Sequence, residues 1–327
     1  MDRQDSLCIN CGMNEEDRRL DRVIRKTFVS MPLSLIQKSI RTGTIKVNGQ
    51  KKTLGYRLRK GDVITVSPAL ISLKTKDHSS RNSPPLKEIQ SLPKSAIISE
   101  NSHLLFVHKK AGILVHGENS LLLQVLAYLG RTPGEESSFT PGPLHRLDRN
   151  SSGIVAFGKT APGARRFSEL LKRGGISKYY LALVDGAVKK KQVWRDSLSR
   201  NSHSKKSFIS KENNGKKAVL SVQPLLTAHN RTLLLVGLVT GRTHQVRVQC
   251  SSHGHPLSGD LKYGGSRCKE GFFLHAYALK FESTDDIIDN PFIRVLPSFP
   301  MRKRLQQVFG FKQVDSLFRK IDTLISS

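Results

Sequence analysis

His145-Arg146-Leu147-Asp148-Arg149-Asn150-Ser151-Ser152-Gly153 stands between two unlike stretches. Before it runs a segment rich in Gly, Pro, Ser and Glu, from Arg131 to Pro143. After it comes Ile154-Val155-Ala156-Phe157, an unbroken apolar run of the kind that forms a buried strand. One acid, Asp148, is thus flanked by two arginines at a loop-to-strand junction. A loop presents a side chain to solvent there, and the strand fixes its position. Taken alone, the stretch supports two readings. Asp148 is a nucleophile or base for a polyanionic substrate, or it closes an ordinary loop salt bridge.

The surrounding composition favours a polyanionic partner. Lys and Arg number 54 against 26 Asp and Glu, a net charge of +28. Such an excess attracts phosphates by Coulomb steering and counterion release. No apolar run approaches the ~20 residues that cross a bilayer. Met1-Asp2-Arg3-Gln4-Asp5 lacks the charged-then-apolar pattern of a signal peptide. Nucleic acid is therefore the expected partner, without a membrane, and the cytoplasm the expected location. Cys8 and Cys11 have the spacing of half a zinc site, but Cys250 and Cys268 supply no second pair, so reduced thiols and no metal are expected. The length of 327 residues suggests two domains.

Upstream, residues 1–17 are polar and expected to be loosely ordered. Leu20, Val23, Ile24 and Phe28 fall on one helical face, and Leu33, Ile36 and Ile40 on another that stops at Gly43. Ile45 and Val47 alternate with polar residues, Asn48-Gly49 is a turn signal, and Gly61-Asp62 precedes a strand over Val63–Val66. Residues 68–95 hold Pro68, Pro84, Pro85 and Pro93 among Ser and Lys, and read as a linker. From Ala96 the pattern predicts strands at 103–108, 113–116, 154–159, 178–184, 218–222, 232–239 and 272–281. Helices are predicted at 121–129, around Ala164 to Leu171, and at 301–309. Residues 186–217 break the pattern with Lys189-Lys190-Lys191 and read as a basic surface excursion. No Gly-rich phosphate loop or dinucleotide fingerprint occurs, which argues against kinases, ATPases and dehydrogenases.

Two resemblances organise these features. Arg19-Leu20-Asp21, Ser34 to Gly43, Ile45 to Gly49 and Gly61-Asp62 resemble the αL RNA-binding motif across residues 18–67. His145-Arg146-Leu147-Asp148, Lys178 to Val184, Gly241 to Arg247, Gly254-His255-Pro256 with Gly259-Asp260 and Tyr263-Gly264, and Leu274-His275-Ala276 occur in the order found in the RluA family of pseudouridine synthases. The resemblance implies an α+β protein: a small αL RNA-binding domain joined by the linker to a catalytic domain over 96–327 with a long mixed, mainly antiparallel sheet. It implies isomerisation of uridine to pseudouridine in structured RNA, with large-subunit ribosomal RNA the first choice of substrate and transfer RNA the second.

By the same resemblance, Asp148 is the catalytic carboxylate. Tyr180 packs on the uracil, with Tyr179 the candidate if the register slips by one. Arg242 pairs with the carboxylate, Arg146 enters the base stack when the target flips out, and Leu274 lines the pocket. Lys38, Arg41, Arg149 and Arg247 contact RNA. His145, His244 and His255 are structural or face phosphate. The isomerisation has no net redox change and no group donor, so no cofactor is expected, and a monomer is the expected state. Lys110 departs from the family's usual proline, which bears on the local turn. One rival is a non-catalytic RNA-binding or ribosome-assembly factor on the same fold. Another is a glycosidase-like hydrolase, which would want a second acid near Asp148, with Asp260 the only motif acid on offer.

Overall fold

The computed structural model describes residues 6–28, 31–71, 90–131, 139–201, 206–210 and 215–326. The first unit holds β1 (Leu7–Asn10), α1 (Leu20–Thr27), α2 (Leu33–Thr42), β2 (Ile45–Val47), β3 (Val63–Val66) and α3 (Pro68–Ile71). Its three strands form an antiparallel sheet in the order β1-β3-β2. The predicted helical stripes meet over that sheet, with Leu20, Val23, Ile24, Ile36, Ile40, Val47 and Ile64 all buried in one cluster. Gly43 ends α2 in the left-handed conformation, φ 81°. Asp62 ties the turns together, accepting from the Asn48 amide at 2.8 Å and the Tyr56 hydroxyl at 3.1 Å.

β1 is a correction, because residues 1–17 are expected to be loose. Leu7 to Asn10 pair with β3, and Cys11 N–H donates to the Asp62 carbonyl. Four residues with only two strong apolar positions, Leu7 and Ile9, carry too little alternation to be seen. Cys11 is buried, and burial with Glu15 and Asp62 nearby pushes its thiol up to about 11, while Cys8 is exposed. The pair does not form a site, and no metal-binding group of His, Cys, Asp and Glu occurs among the described residues.

Of the linker, residues 72–89 lie outside those described, as do 132–138 of the Gly/Pro-rich loop. Leu92, near the linker's end, already packs in the second unit's core. That unit contains β4 (Ile97–Glu100), β5 (Leu104–Lys109), α4 (Leu121–Tyr128), β6 (Gly142–Pro143), β7 (Ser152–Gly158), α5 (Ala161–Arg173), β8 (Ile176–Asp185), β9 (Gln192–Asn201), β10 (Lys206–Ile209), β11 (Lys216–Ala228), β12 (Arg231–Leu238), α6 (Gln245–Ser252), β13 (Leu274–Phe281), β14 (Phe292–Arg294), α7 (Phe299–Phe309) and α8 (Phe311–Ser326).

Eleven strands form one sheet, ordered β10-β9-β11-β12-β8-β13-β7-β5-β4, with β14 beside β13 and β6 beside β7. It is mixed and mainly antiparallel, as expected. Among the described pairings only β13 with β7 is parallel, His275 opposite Ser152 and Ala276 opposite Gly153. Gly153 makes that junction possible. Its φ is 114°, and a Cβ there would run into the Ala276 carbonyl oxygen and nitrogen. The glycine that ends the opening motif therefore lets β7 close against β13, which sets the Asp148 loop beside Leu274.

Apolar side chains cover both faces of the sheet. One face, with Val155, Ala182, Val236 and Leu274, carries α4 and α6. On the other, Leu181, Leu183, Leu233 and Tyr277 pack under α7 and α8, and Ile154 and Ala156 under Phe167 of α5.

Three expectations for this unit change. Residues 113–116 form no strand. Much of 186–217 is sheet rather than solvated insertion. Trp194, Leu198 and Ala218 point inward from β9 and β11, while intervening Arg, Ser and Lys hide the alternation. Residues 245–252, for which no element is predicted, form α6, held because the Gln245 side chain accepts from Arg242 N–H and from the Thr240 hydroxyl. The carboxyl end carries a second helix, α8, beyond the predicted one.

Candidate active site

Local packing explains which residues of the opening motif are free to act. His145 accepts from Ala156 N–H through Nε2 at 3.1 Å and stacks on Phe167. Burial, with Lys178 nearby, pushes His145 down to about 4, so it is a neutral post. Leu147 is buried in the core. With those two anchored inward, exposed Arg146 and part-exposed Asp148 are left to the cleft.

The loop is clamped from below. Lys109 is fully buried, and its ammonium donates to the carbonyls of Lys110 (3.0 Å), Ile113 (2.8 Å) and Arg149 (2.9 Å). Burial lowers it to about 8 while Asp148 opposes the shift, so it remains charged at neutral pH. Gly112 N–H also donates to the Arg149 carbonyl, and Arg149 Nε returns a bond to Gly112 O. Lys110, in place of the family's proline, is accommodated in this turn.

Asp148 faces a buried cation. Its Oδ2 lies 3.2 Å from Nη1 of Arg247. The same guanidinium grips Asp260 with two bonds, Nε to Oδ2 at 2.6 Å and Nη2 to Oδ1 at 2.8 Å. The rings of Tyr263 and Phe272 lie against it, 4.9 and 4.5 Å from centroid to guanidinium carbon. Burial pulls Arg247 down, yet the bonds and charges of Asp260 and Asp148 lift it above its ordinary value.

Two expectations are corrected by this arrangement. Arg242, expected to pair with Asp148, is exposed at the cleft mouth and donates through Nε to the Lys217 carbonyl at 3.0 Å. Arg247, expected on RNA phosphate, is buried and takes the carboxylate instead. The helix explains the exchange. Arg242 precedes α6, whereas Arg247 sits inside it and turns toward the sheet.

Tyr180 lies on the cleft face of β8, and Tyr179 packs on the opposite face under the carboxyl-terminal helices, which sets the register. Burial first, and Asp148 second, raise the Tyr180 phenol, so it stays protonated. Leu274 completes the apolar wall. His244 stands at the foot of α6 with φ 56°, a conformation costing a non-glycine residue about 1 kcal/mol or more. Its Nδ1 lies 2.7 Å from the Tyr263 hydroxyl and its Nε2 lies 3.9 Å from Asp148 Oδ1. His255 lies apart, its Nδ1 3.3 Å from the Asp185 carbonyl.

The cleft measures ≈ 260 Å³ and brings together Arg146, Asp148, Tyr180, Arg242, His244, Arg247 and Leu274. Lys38 and Arg41 sit in the first unit, exposed on α2, and Arg149 is exposed on the motif loop. Sequence reasoning gave Lys109 and Tyr263 no role at this site, and Asp260 only that of a hydrolase's second acid. The only signal for them is the order of the motifs, since buried charges need partners that lie far apart in sequence. Chemically, a carboxylate paired with a fixed guanidinium, above an apolar floor with one phenol, suits attack on or stabilisation of an electron-poor sugar carbon.

Residues 103–252 match the family model for RNA pseudouridylate synthase, and residues 18–64 match that for the S4 domain. The chain is 31% identical over 273 residues to the ribosomal large subunit pseudouridine synthase C of Vibrio vulnificus, covering 81% of this chain and 84% of the relative. The synthase of the same name from Haemophilus influenzae is 31% identical over 301 residues, covering 86% and 91%. The fold is shared with human RNA pseudouridylate synthase domain containing 4, at a TM-score of 0.53 and 20% identity, over 68% of this chain and 95% of the human one.

Proposed function

Because the chain belongs to the RNA pseudouridylate synthase family and is a uridine-isomerising enzyme, we propose that it acts on large-subunit ribosomal RNA with Asp148 as its catalytic carboxylate. The observation that carries the assignment of Asp148 is its geometry. It is part-exposed in the cleft, 3.2 Å from Arg247, beside Tyr180 and Leu274.

Uridine becomes pseudouridine when the bond from ribose C1′ to N1 breaks and one from C1′ to C5 forms. The sugar carbon becomes electron-poor on the way, and a fixed carboxylate meets that charge or bonds to it. Arg247, 3.2 Å away, aims Asp148. The target must first leave its stack, at a cost of about a few kcal/mol. Arg146, exposed two residues from Asp148, fills the gap and offsets part of that cost. Tyr180 packs on the uracil, Leu274 lines the pocket around it, and Arg242 meets the RNA at the mouth.

Residues 18–67 hold RNA through Lys38 and Arg41, Arg149 adds a phosphate contact beside the cleft, and residues 96–327 carry the chemistry. The net charge of +28 suits that division. The relatives from Vibrio vulnificus and Haemophilus influenzae are ribosomal large subunit synthases, which supports large-subunit RNA as the substrate. The enzyme works as a monomer in the cytoplasm, and no described helix is long and apolar enough to cross a membrane.

Mapping pseudouridine in the RNA of cells with the chain intact, deleted, or carrying Asp148→Ala tests this reading. Loss of the same large-subunit sites in both altered strains is expected. Sites that survive Asp148→Ala would remove Asp148 from the chemistry, and changes confined to transfer RNA would replace the substrate.

A further inference from the structure

The geometry points to His244 as a second catalytic residue, a neutral N–H donor to the uracil ring as it departs from the sugar. The inference rests on Asp148 being the catalytic carboxylate and adds a partner that acts on the base rather than on the ribose.

The hydrogen-bond network decides which nitrogen carries the hydrogen. Ser207 N–H, which can only donate, points at the Tyr263 oxygen at 3.1 Å. The Tyr263 hydroxyl hydrogen is then free for the other close contact, His244 Nδ1 at 2.7 Å. Nδ1 accepts, so the imidazole hydrogen sits on Nε2. Nε2 has no hydrogen bond among the described residues. Its near neighbour is Asp148 Oδ1 at 3.9 Å, beyond hydrogen-bond reach. The donor is held ready, unpaired, on the wall of the cleft that also presents Tyr180 and Leu274.

The chemistry has a use for it. As the C1′–N1 bond breaks, its electron pair stays with the ring, and negative charge spreads over N1 and the two carbonyl oxygens. A fixed N–H beside a carbonyl oxygen meets that charge without giving up its proton. After the ring turns, C5 bonds to C1′, the C5 proton leaves to solvent and N1 takes one up, so the atoms of the isomer balance. The surroundings keep the imidazole neutral. Burial lowers His244 first. Asp148 opposes that shift, while Arg247, Lys262 and Arg200 add to it, and Tyr263 faces its other nitrogen. The left-handed backbone at His244 and the Ser207 hydroxyl bond to the Thr243 carbonyl hold the ring at this angle.

The test uses the full chain and RNA from cells lacking it, labelled with tritium at uridine C5, so that every target is present. Single-turnover tritium release is compared for wild type, His244→Ala, His244→Gln and Tyr263→Phe, alongside RNA affinity and circular dichroism. His244→Ala is expected to slow release by about 100-fold with affinity unchanged. Gln presents an amide N–H near the same place and is expected to recover most of the rate. Tyr263→Phe, which frees the imidazole to flip its hydrogen, is expected to slow release about tenfold. The wild-type rate is expected to be flat from neutral to mildly alkaline pH. A folded His244→Ala at the wild-type rate, or Gln as slow as Ala, overturns the inference. So does a rate that falls as pH rises through neutrality, which would mean an imidazolium acid. Wild-type turnover and an inactive Asp148→Asn carry the earlier reading separately, so the two stand or fall on different comparisons.

Discussion

Asp148 and Asp260 share one guanidinium. Arg247 gives Asp260 two short bonds and leaves Asp148 a single longer one at 3.2 Å. The unequal grip means that Asp260 fixes the cation and the cation aims Asp148, which stays free to move toward a substrate.

Arg247→Lys keeps the charge but loses the planar fork, so it cannot hold both acids. It is expected to lower kcat by about 100-fold and stability by about 2 kcal/mol, because a buried pair is broken on one side. Arg242→Ala, at an exposed position, is expected to change stability by less than about 0.5 kcal/mol and to act on KM. Urea unfolding with steady-state kinetics on both variants checks the contrast, and equal losses would restore Arg242 as the carboxylate's partner.

Asp148→Asn is expected to abolish turnover while RNA affinity stays near wild type, because affinity comes from phosphate contacts and the amide is isosteric. Filter binding and product analysis on one preparation separate the two effects. A large loss of binding would show that Asp148 positions RNA instead.

Gly153→Ala meets the Ala276 backbone at a positive φ. Neither strand can yield without breaking the β7–β13 pairing, so a loss of about 3 kcal/mol or outright misfolding is expected. Thermal unfolding measures it, and a variant as stable as wild type would show that the junction relaxes.

Two histidines, His275 buried and His145 half-buried, are expected to make the protein acid-sensitive. His275 donates through Nε2 to the Val295 carbonyl and accepts from Ser152 at Nδ1, so it has no place for a second proton. Burial pushes it down to about 3, and His145 down to about 4. An unfolded chain takes up these protons near pH 6.5 and the folded one does not. Stability is therefore intact above about pH 6.5 and falls as pH drops toward 4, by about a few kcal/mol in total. Urea midpoints at pH 7.5 and 5 measure the fall, and His145→Gln is expected to flatten it. A midpoint independent of pH across that window would contradict it.

Removal of residues 1–67 is expected to weaken RNA binding, with the bond-breaking step on bound RNA unchanged. Equal affinity with and without the segment would mean that Lys38 and Arg41 hold no RNA.

The motif loop and its strand were legible in the sequence because their signals are local. Ile154 to Phe157 is apolar without a break, and Gly43 and Asn48-Gly49 sit where turn chemistry requires them. Tyr180 was legible with one ambiguity, which the two faces of β8 resolve. The partner of Asp148 was missed because the resemblance gave that role to Arg242, five residues before Arg247 in the same motif. Only the fold shows that Arg247 turns inward while Arg242 stays out. β9 was hidden because Gln192, Asp196 and Arg200 share the face of Trp194 and Leu198, so only two apolar residues mark the period of two. Lys109 resembles any surface lysine until three carbonyls converge on it.

The parallel pairing of β7 with β13 joins positions 123 residues apart, Ser152 and His275. The first unit, by contrast, has all its elements by Ile71. Chains emerge from the ribosome amino end first and fold unit by unit, and distant pairings wait for their later partner. A nascent molecule therefore has its RNA-gripping head assembled some two hundred residues of synthesis before its cleft can close. For that interval it can hold RNA that it has no means to alter.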